Sequence, residues 1–196
     1  MTILYYLGNT AYINITNRCS ADCEFCLRTE FDSVGTANSL WLEREPTREE
    51  ILSAISADSP KSIVFCGFGE PFERFDDMLW VIAELKHADP ELYVRINTNG
   101  HGNLIAGEDI TPRLENLVDA LSISLNYPNA EAYNEHCRPK FGAVAFDAML
   151  DFTRLSKRYV PSVTLTVVDV LSASHIEECR KIAEGIGVNF RVRAKQ

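Results

Sequence analysis

The sequence lacks any long hydrophobic run and any excess of basic residues. The apolar segment at residues 1–7 is too short for a membrane span and has no basic start, so we expect neither a span nor a signal peptide. Acidic residues outnumber basic ones by 28 to 19, giving a formal net charge of −9, although the total could mask a local basic patch. We therefore expect a cytoplasmic protein with no membrane association and no nucleic-acid partner held through phosphate.

The chain also lacks linkers, internal repeats and low-complexity tracts. Its 196 residues, 46% of them apolar, are enough to bury the core of one domain, predicted to span residues 1–196. Thiols stay reduced in the cytoplasm, so the six cysteines predict metal or redox chemistry rather than disulfides.

Strand-like and helical patterns alternate along the chain. Apolar runs predict six strands at residues 12–15, 62–66, 92–97, 120–125, 163–168 and 188–192. Helical spacing predicts helices over 47–57, 78–87 and 143–157, the first opened by the capping box Thr47-x-x-Glu50. Thr111 is predicted to cap a further helix, and Ser174-x-x-Glu177 to open one ending near Gly185 or Gly187.

The alternation predicts parallel strands joined by right-handed helical crossovers. The pattern alone fits either a curled barrel or a flat doubly wound sheet. Ser122, Ser124 and Asn126 share one face of the fourth strand, whereas the opposite face is apolar. A flat sheet with helices on both sides should be apolar on both faces. We therefore predict an α/β fold, a partial (β/α)6 TIM-like barrel with parallel strands.

Three cysteines follow the first predicted strand, at the rim where barrel enzymes build their sites. They are Cys19, Cys23 and Cys26. Three thiolates can hold three irons of a four-iron cluster and leave the fourth open to a ligand. The alternative is a structural zinc site, which needs four ligands, and the other cysteines (66, 137 and 179) form no second pair.

Further polar groups follow later strands at the same rim. Gly67, Gly69 and Glu70 follow the second strand, where glycines permit positive φ and close approach of the backbone to a ligand. Short hydrogen-bonding side chains end the third and fourth strands: Asn97, Thr98, Ser122, Ser124 and Asn126. Alternatively, Asn99-Gly100 is a type I′ turn and the serines are satisfied core hydroxyls.

The cysteine spacing, with Phe25 before the last cysteine, resembles the signature of the radical S-adenosylmethionine (radical SAM) superfamily. Gly69 and Glu70 resemble its Gly-Gly-Glu element, which contacts the amino group of the methionine moiety, although Phe68 stands where a glycine is common. The resemblance implies Cys19, Cys23 and Cys26 as metal ligands and the following residues as cofactor contacts: Phe25, Gly69, Glu70, Asn97, Thr98, Ser122, Ser124 and Asn126. Catalytic residues acting on the substrate stay unassigned.

The resemblance implies two cofactors, a [4Fe-4S] cluster and S-adenosyl-L-methionine. It implies reductive cleavage to a 5′-deoxyadenosyl radical that abstracts hydrogen from an unknown substrate, small molecule or protein, in an oxidoreductase or lyase reaction. A low-potential electron donor, flavodoxin or ferredoxin, is the implied partner. Among compact single-domain members, the chain is similar to the TatD-associated radical SAM proteins.

Two alternatives to this function stay open. An activase would abstract hydrogen from a glycine of a large protein partner, and a non-catalytic module would hold the cluster only for electron transfer.

Some residues have no firm role: Asp169, Arg191 and Arg193 could serve the site or be solvated, and His136 and Cys137 lie in a loop near the rim. The irregular stretch 27–45 is either part of the active-site mouth or a surface excursion.

Overall fold

The computed structural model describes residues 1–194, which contain seven strands and six α-helices. The predicted domain limit, residue 196, lies outside this part of the chain. The strands are β1 (Leu4–Leu7), β2 (Thr10–Ile13), β3 (Ser62–Phe65), β4 (Tyr93–Thr98), β5 (Ala120–Ser124), β6 (Ser162–Val168) and β7 (Asn189–Arg193). The helices are α1 (Arg48–Asp58), α2 (Phe75–Ala88), α3 (Gly102–Ala106), α4 (Ala130–Cys137), α5 (Ala145–Ser156) and α6 (Ala173–Ile186).

All seven strands form one sheet in the order β1 to β7. Strand β1 is antiparallel to β2, and every later neighbouring pair is parallel. The order follows the chain without the reversal that marks a doubly wound sheet. The predicted partial (β/α)6 barrel is confirmed, with β2 to β7 as its six parallel strands. The sequence reading missed β1, which forms a hairpin with β2 through a turn at Gly8, where φ is +59°.

The two faces of the sheet differ in polarity, as predicted for a barrel. Leu121, Ile123 and Leu125 are fully buried in the main hydrophobic core, together with apolar residues of helices α1 to α6. We call the opposite face the inner face; strand register places on it Tyr12, Arg95, Asn97, Ser122, Thr164 and Arg191. The inner face is therefore the polar interior of the partial barrel.

The cap of α1 is confirmed, whereas that of the last helix is two residues away from its predicted position. At α1, Thr47 Oγ1 accepts a hydrogen bond from Glu50 N, and Glu50 Oε2 accepts one from Thr47 N. Helix α6 is capped by Ser172, whose hydroxyl accepts from His175 N, so the predicted cap at Ser174 is wrong. Serine is a favoured N-cap residue at either position, and only the backbone conformation shows which of the two caps the helix.

The predicted helix at Thr111 is only a 3₁₀ turn over Thr111–Leu114. Thr111 does not cap it, because its hydroxyl and backbone N–H both donate to Asp109 Oδ1. The proline at the second position fits a 3₁₀ turn as well as it fits an α-helix.

The irregular stretch 27–45 contains only one short 3₁₀ turn, at Leu27–Thr29, and is held against the sheet. Asn14 and Asn17 donate side-chain hydrogen bonds, each 2.8 Å long, to the carbonyl oxygens of Leu40 and Leu42. Leu40 is buried against Phe68, which lies three residues after the end of β3. The stretch thus packs beside the glycine-rich element predicted to form part of the site.

Candidate active site at the rim of the barrel

The cysteine loop, residues 16–26, follows β2 and lies against the last turn of α4. The backbone N–H groups of Asp22 and Glu24 donate to the carbonyl oxygens of Cys137 and His136, at 3.1 and 3.0 Å. These bonds fix the loop to a helix more than a hundred residues away. Its three thiols, all partly exposed, belong to Cys19, Cys23 and Cys26.

Each of the three thiols has a raised pKa. Burial, with a smaller effect of the nearby Glu70 carboxylate, raises the pKa of Cys19 to about 12. A hydrogen bond with the thiol of Cys137, followed by burial, raises the pKa of Cys23. Burial also raises the pKa of Cys26. Thiols bind iron as thiolates, so metal binding by this loop releases protons.

The glycines after β3 are required by close packing, and neither adopts the positive φ that glycine permits. A Cβ atom on Gly67 would lie 2.1 Å from Asn14 Oδ1. One on Gly69 would lie 2.3 Å from the carbonyl oxygen of Thr16. Phe68, between them, needs no glycine conformation, and its ring packs edge-on to Trp41 at 5.1 Å.

Glu70 is buried and holds together the ends of β3 and β4. Its Oε1 accepts hydrogen bonds from Phe72 N at 3.1 Å and Thr98 Oγ1 at 2.8 Å, and Oε2 accepts one from Asn99 N at 2.7 Å. Burial outweighs these bonds and raises the pKa of Glu70 to about 7. Its backbone N–H donates to Arg18 O, so the same residue is also bound to the cysteine loop.

The polar residues at the end of β4 face in different directions. Asn97 lies on the inner face, where its side-chain amide bonds to the Cys66 thiol and its Oδ1 is buried with no partner in the described chain. Thr98 lies behind it, against Glu70. The type I′ alternative is wrong, because Gly100 has positive φ and Asn99 does not.

Asn99 and His101 are site residues that the sequence reading missed. Asn99 Nδ2 donates to Ser20 Oγ at 2.8 Å and lies 3.8 Å from Cys19 Sγ. His101 is fully buried, and its ring nitrogens lie 2.9 Å from Ser20 Oγ and from the Tyr133 hydroxyl. Burial lowers the pKa of His101 to about 4. A lone histidine and a turn asparagine carry no sequence signal for contacts about 80 residues away.

Ser122, Ser124 and Asn126 follow one another along β5 and just beyond it. Ser122 Oγ accepts a hydrogen bond from Arg191 Nη2 at 3.2 Å, and Ser124 is partly exposed beside Thr166. Asn126 has φ of +58°, in the left-handed region that asparagine adopts more readily than most other non-glycine residues. Its Nδ2 donates to Cys137 Sγ at 3.6 Å, and its Oδ1 is buried without a partner in residues 1–194.

The predicted contact Phe25 lies at the rim next to a stacked pair of rings. Its ring centroid is 6.2 Å from that of Tyr127, which stacks on His136 at 4.5 Å. His136 Nδ1 lies 2.7 Å from Glu24 Oε1, so this histidine pairs with the cysteine loop rather than with Cys137.

The donor set fits a [4Fe-4S] cluster with a bound amino-acid ligand. In a cluster each thiolate binds its own iron, whereas zinc needs ligands converging on one point, and no such group of three exists within residues 1–194. The same rim presents two buried, unpaired amide oxygens, those of Asn97 and Asn126. Buried acceptors without partners are costly, so they point to a polar ligand.

The model of the radical SAM superfamily matches residues 13–183. The chain belongs to that superfamily. The match includes the three cysteines and all strands from β3 to β6. It confirms the predicted radical SAM enzyme class and its two cofactors, a [4Fe-4S] cluster and S-adenosylmethionine.

Similar proteins include radical SAM enzymes of several kinds. A "Probable dual-specificity RNA methyltransferase RlmN" of Caldanaerobacter subterraneus is 28% identical over 149 residues, 69% of this chain and 38% of that protein. A radical SAM methyltransferase from Sphaerobacter thermophilus superposes with a TM-score of 0.64 at 17% identity, covering 97% of this chain and 57% of that one. SuiB of Streptococcus suis, solved with S-adenosylmethionine, gives 0.61 at 18% identity, covering 94% of this chain and 38% of that one.

The chain spans 38–57% of the length of these relatives, less than two thirds in each case. The two solved structures share the barrel fold with this chain. At 17% and 18% identity, this similarity shows the fold alone. In residues 1–194 no helix is long and apolar enough to cross a membrane. The individual site residues and the similarity to TatD-associated proteins stay predictions.

Proposed function

We propose that this protein cleaves S-adenosylmethionine reductively and uses the product to abstract hydrogen from a substrate. When bound, the cluster and S-adenosylmethionine supply one-electron cleavage to methionine and a 5′-deoxyadenosyl radical. The observation that carries the proposal is the pair of buried, unpaired amide oxygens of Asn97 and Asn126 beside the cysteine loop.

The chain's own residues hold and orient the ligand. Cys19, Cys23 and Cys26 bind the cluster. Glu70 and the backbone at Gly69 face the amino group of the methionine moiety, at the point where Glu70 is already bound to the cysteine loop. Thr98 and Asn99 keep the Glu70 carboxylate in place through bonds of 2.8 and 2.7 Å.

The inner-face residues hold the remainder of the nucleoside. Asn97, Ser122, Ser124 and Asn126 supply hydroxyl and amide groups suited to ribose hydroxyls and a carboxylate. Phe25 supplies an apolar wall at the rim. Proton transfer by a side chain is not needed for the cleavage itself, so the main contribution of these residues is positioning.

Anaerobic reconstitution with iron and sulfide, followed by dithionite and S-adenosylmethionine, tests this function. We expect 5′-deoxyadenosine and methionine, detected by mass spectrometry. Cys23→Ala should abolish both the cluster absorbance and the product, whereas Cys179→Ala, buried on α6 away from the rim, should retain both. A fully loaded wild-type cluster that yields no 5′-deoxyadenosine would overturn the proposal.

Methyl transfer is a second candidate, supported by the relatives, which include two kinds of methyltransferase. In that reaction S-adenosylmethionine transfers its methyl group to a nucleophilic acceptor, and S-adenosylhomocysteine is the other product. Mass spectrometry of the same assay distinguishes the two products. Formation of S-adenosylhomocysteine in a cluster-dependent manner would favour transfer.

We further propose a cytoplasmic location and a low-potential donor, flavodoxin or ferredoxin, as the physiological reductant. Both fit thiols that must stay reduced to hold a cluster. Replacing dithionite with reduced flavodoxin should preserve 5′-deoxyadenosine formation. A pure electron-transfer module would not be expected to need the ligand-binding groups on the inner face.

A further inference from the structure

Three arginines lie on the inner face, and the cofactor contacts above do not use them. Arg95 lies on β4, two residues before Asn97 and on the same face. Arg191 and Arg193 lie on β7, in register with Thr166 and Val168 of β6. Although the strands are separated in sequence, Arg193 and Arg95 both act electrostatically on the Cys66 thiol after β3, and Arg191 acts on Arg193. The three charges therefore lie near one another on the inner face.

These guanidinium groups meet neutral partners. Arg191 donates to Ser122 Oγ at 3.2 Å, and Arg95 donates from Nη2 to the Tyr12 hydroxyl at 3.3 Å. The Nε atoms of Arg95 and Arg193 are buried and have no partner in the described chain. Among residues 1–194 no carboxylate forms an ion pair with any of the three.

This local charge is opposite in sign to the charge of the whole chain. The sequence carries a net charge of −9, yet three cations lie on the inner face. The Cys66 thiol, on which Arg95 and Arg193 act electrostatically, supplies no countercharge, because burial raises its pKa. Like charges held together without a counterion repel one another, and guanidinium groups match planar or tetrahedral oxyanions through paired hydrogen bonds. The interior is therefore built to receive an anion.

The number of arginines and the depth of Arg95 distinguish a substrate from the cofactor, whereas Arg191 and Arg193 lie at the rim end of β7. A carboxylate can be held by one bidentate arginine, whereas this face offers three. Arg95 lies roughly 6–7 Å below Asn97 along the strand, farther from the cysteine loop than the rim groups predicted to hold the cofactor. The set thus extends from the rim into the interior.

We propose that Arg95, Arg191 and Arg193 bind a carboxylate or phosphate group of the substrate inside the barrel. The proposal rests on the proposed function, because it assigns the substrate class of the same site. Cleavage of S-adenosylmethionine at the rim would then occur directly above a substrate held by its anionic end.

Calorimetric titration of inorganic phosphate and of succinate into the reconstituted protein tests the proposal. S-adenosylmethionine is present at saturation and dithionite is omitted, so the cofactor's own carboxylate stays in its site. Arg191→Gln and Arg193→Gln should each weaken binding of the better anion at least about tenfold, the loss expected for one charged hydrogen bond. Arg154→Gln, which removes an exposed ion pair with Asp151 on α5, should leave binding unchanged.

The remaining outcomes separate this proposal from the proposed function. Wild-type protein that binds neither anion overturns it, even if 5′-deoxyadenosine is formed. Anion binding without 5′-deoxyadenosine formation contradicts only the proposed function. The affinity for S-adenosylmethionine should change less than about twofold in both variants. A tenfold loss would assign the arginines to the cofactor's carboxylate and overturn the proposal. Circular dichroism melting establishes that each variant is folded.

Discussion

Gly69 lies so close to Thr16 that a Cβ atom on the glycine would be 2.3 Å from the threonine carbonyl oxygen. The same hypothetical atom would lie 2.6 Å from the carbonyl oxygen of Arg18. Both neighbours are backbone atoms of the cysteine loop, which cannot move aside as a flexible side chain can. The glycine therefore determines where the cysteine loop sits relative to Glu70.

Gly69→Ala should displace the cysteine loop and destabilise the fold. We expect a loss of about 1–3 kcal/mol in the free energy of unfolding, from overpacking against rigid backbone, together with reduced iron incorporation. Urea denaturation and iron analysis measure the two effects. Gly185→Ala is the matched control, because Gly185 lies in α6 with no atom within 4 Å of its Cβ position. The control should be stabilised by about 0.5–1 kcal/mol, and equal losses in both variants would contradict our explanation.

Glu70→Gln should weaken S-adenosylmethionine binding at least about tenfold, because a charged acceptor facing the amino group is lost. An amide has only one acceptor oxygen. Its N–H group would therefore either face the backbone N–H of Asn99 or take the place of the oxygen that accepts from Thr98. Calorimetric titration of S-adenosylmethionine into the reconstituted variant measures the effect. Glu84→Gln, an exposed carboxylate on α2, is the control. Unchanged affinity in Glu70→Gln would remove this residue from the cofactor site.

The buried His101 should make stability depend on pH. Its pKa in the folded protein, about 4, lies below the ordinary value of 6.5, so the unfolded chain binds the extra proton between these values. Stability from this group is present above pH 6.5 and is lost as pH falls toward 4, by up to about 3 kcal/mol. His101→Gln should be less stable than wild type at pH 7.5, and the difference should shrink at pH 4.5.

Urea midpoints at the two pH values measure this difference directly. Subtracting variant from wild type cancels other titrating groups, including Glu70, whose raised pKa acts in the opposite direction. His87→Gln, an exposed position on α2, should retain the wild-type response. A constant gap between wild type and His101→Gln would contradict the expected linkage.

Cys137 contacts a predicted cluster ligand but should not be one itself. It is fully buried, its thiol bonds with that of Cys23, and Asn126 donates to its sulfur. Cys137→Ala should therefore retain the iron and sulfide content of wild type, measured chemically after anaerobic reconstitution. Cys26→Ala, a change of the same size at a predicted ligand, should lose it. Loss of iron in Cys137→Ala would make this residue a fourth ligand.

Local motifs could be predicted from the sequence, whereas long-range contacts could not. The cysteine spacing, the Gly-Glu element and the Thr47 capping box each depend on a few neighbouring residues. The bond between His101 and Ser20 joins residues 81 positions apart, and nothing near either residue indicates it. For the same reason Asn99 was interpreted as a turn residue, although its side chain is directed at Ser20 and Cys19.

The glycine-rich element shows what a local motif leaves out. Glycines there permit positive φ and close approach to a ligand, whereas in the structure their lack of a side chain accommodates Asn14 and the cysteine loop. Strand β1 was missed because four apolar residues next to the N-terminus carry no alternation that marks an edge strand.

The two edges of the sheet differ within residues 1–194. One edge carries the β1 hairpin and the stretch packed on Phe68, while β7 lies at the other. Arg191 on that strand is exposed to solvent and also donates a hydrogen bond to Ser122 Oγ on β5. One side chain thus connects the solvent-exposed surface of β7 with the polar inner face, so the polarity of that face is continuous with solvent at this strand.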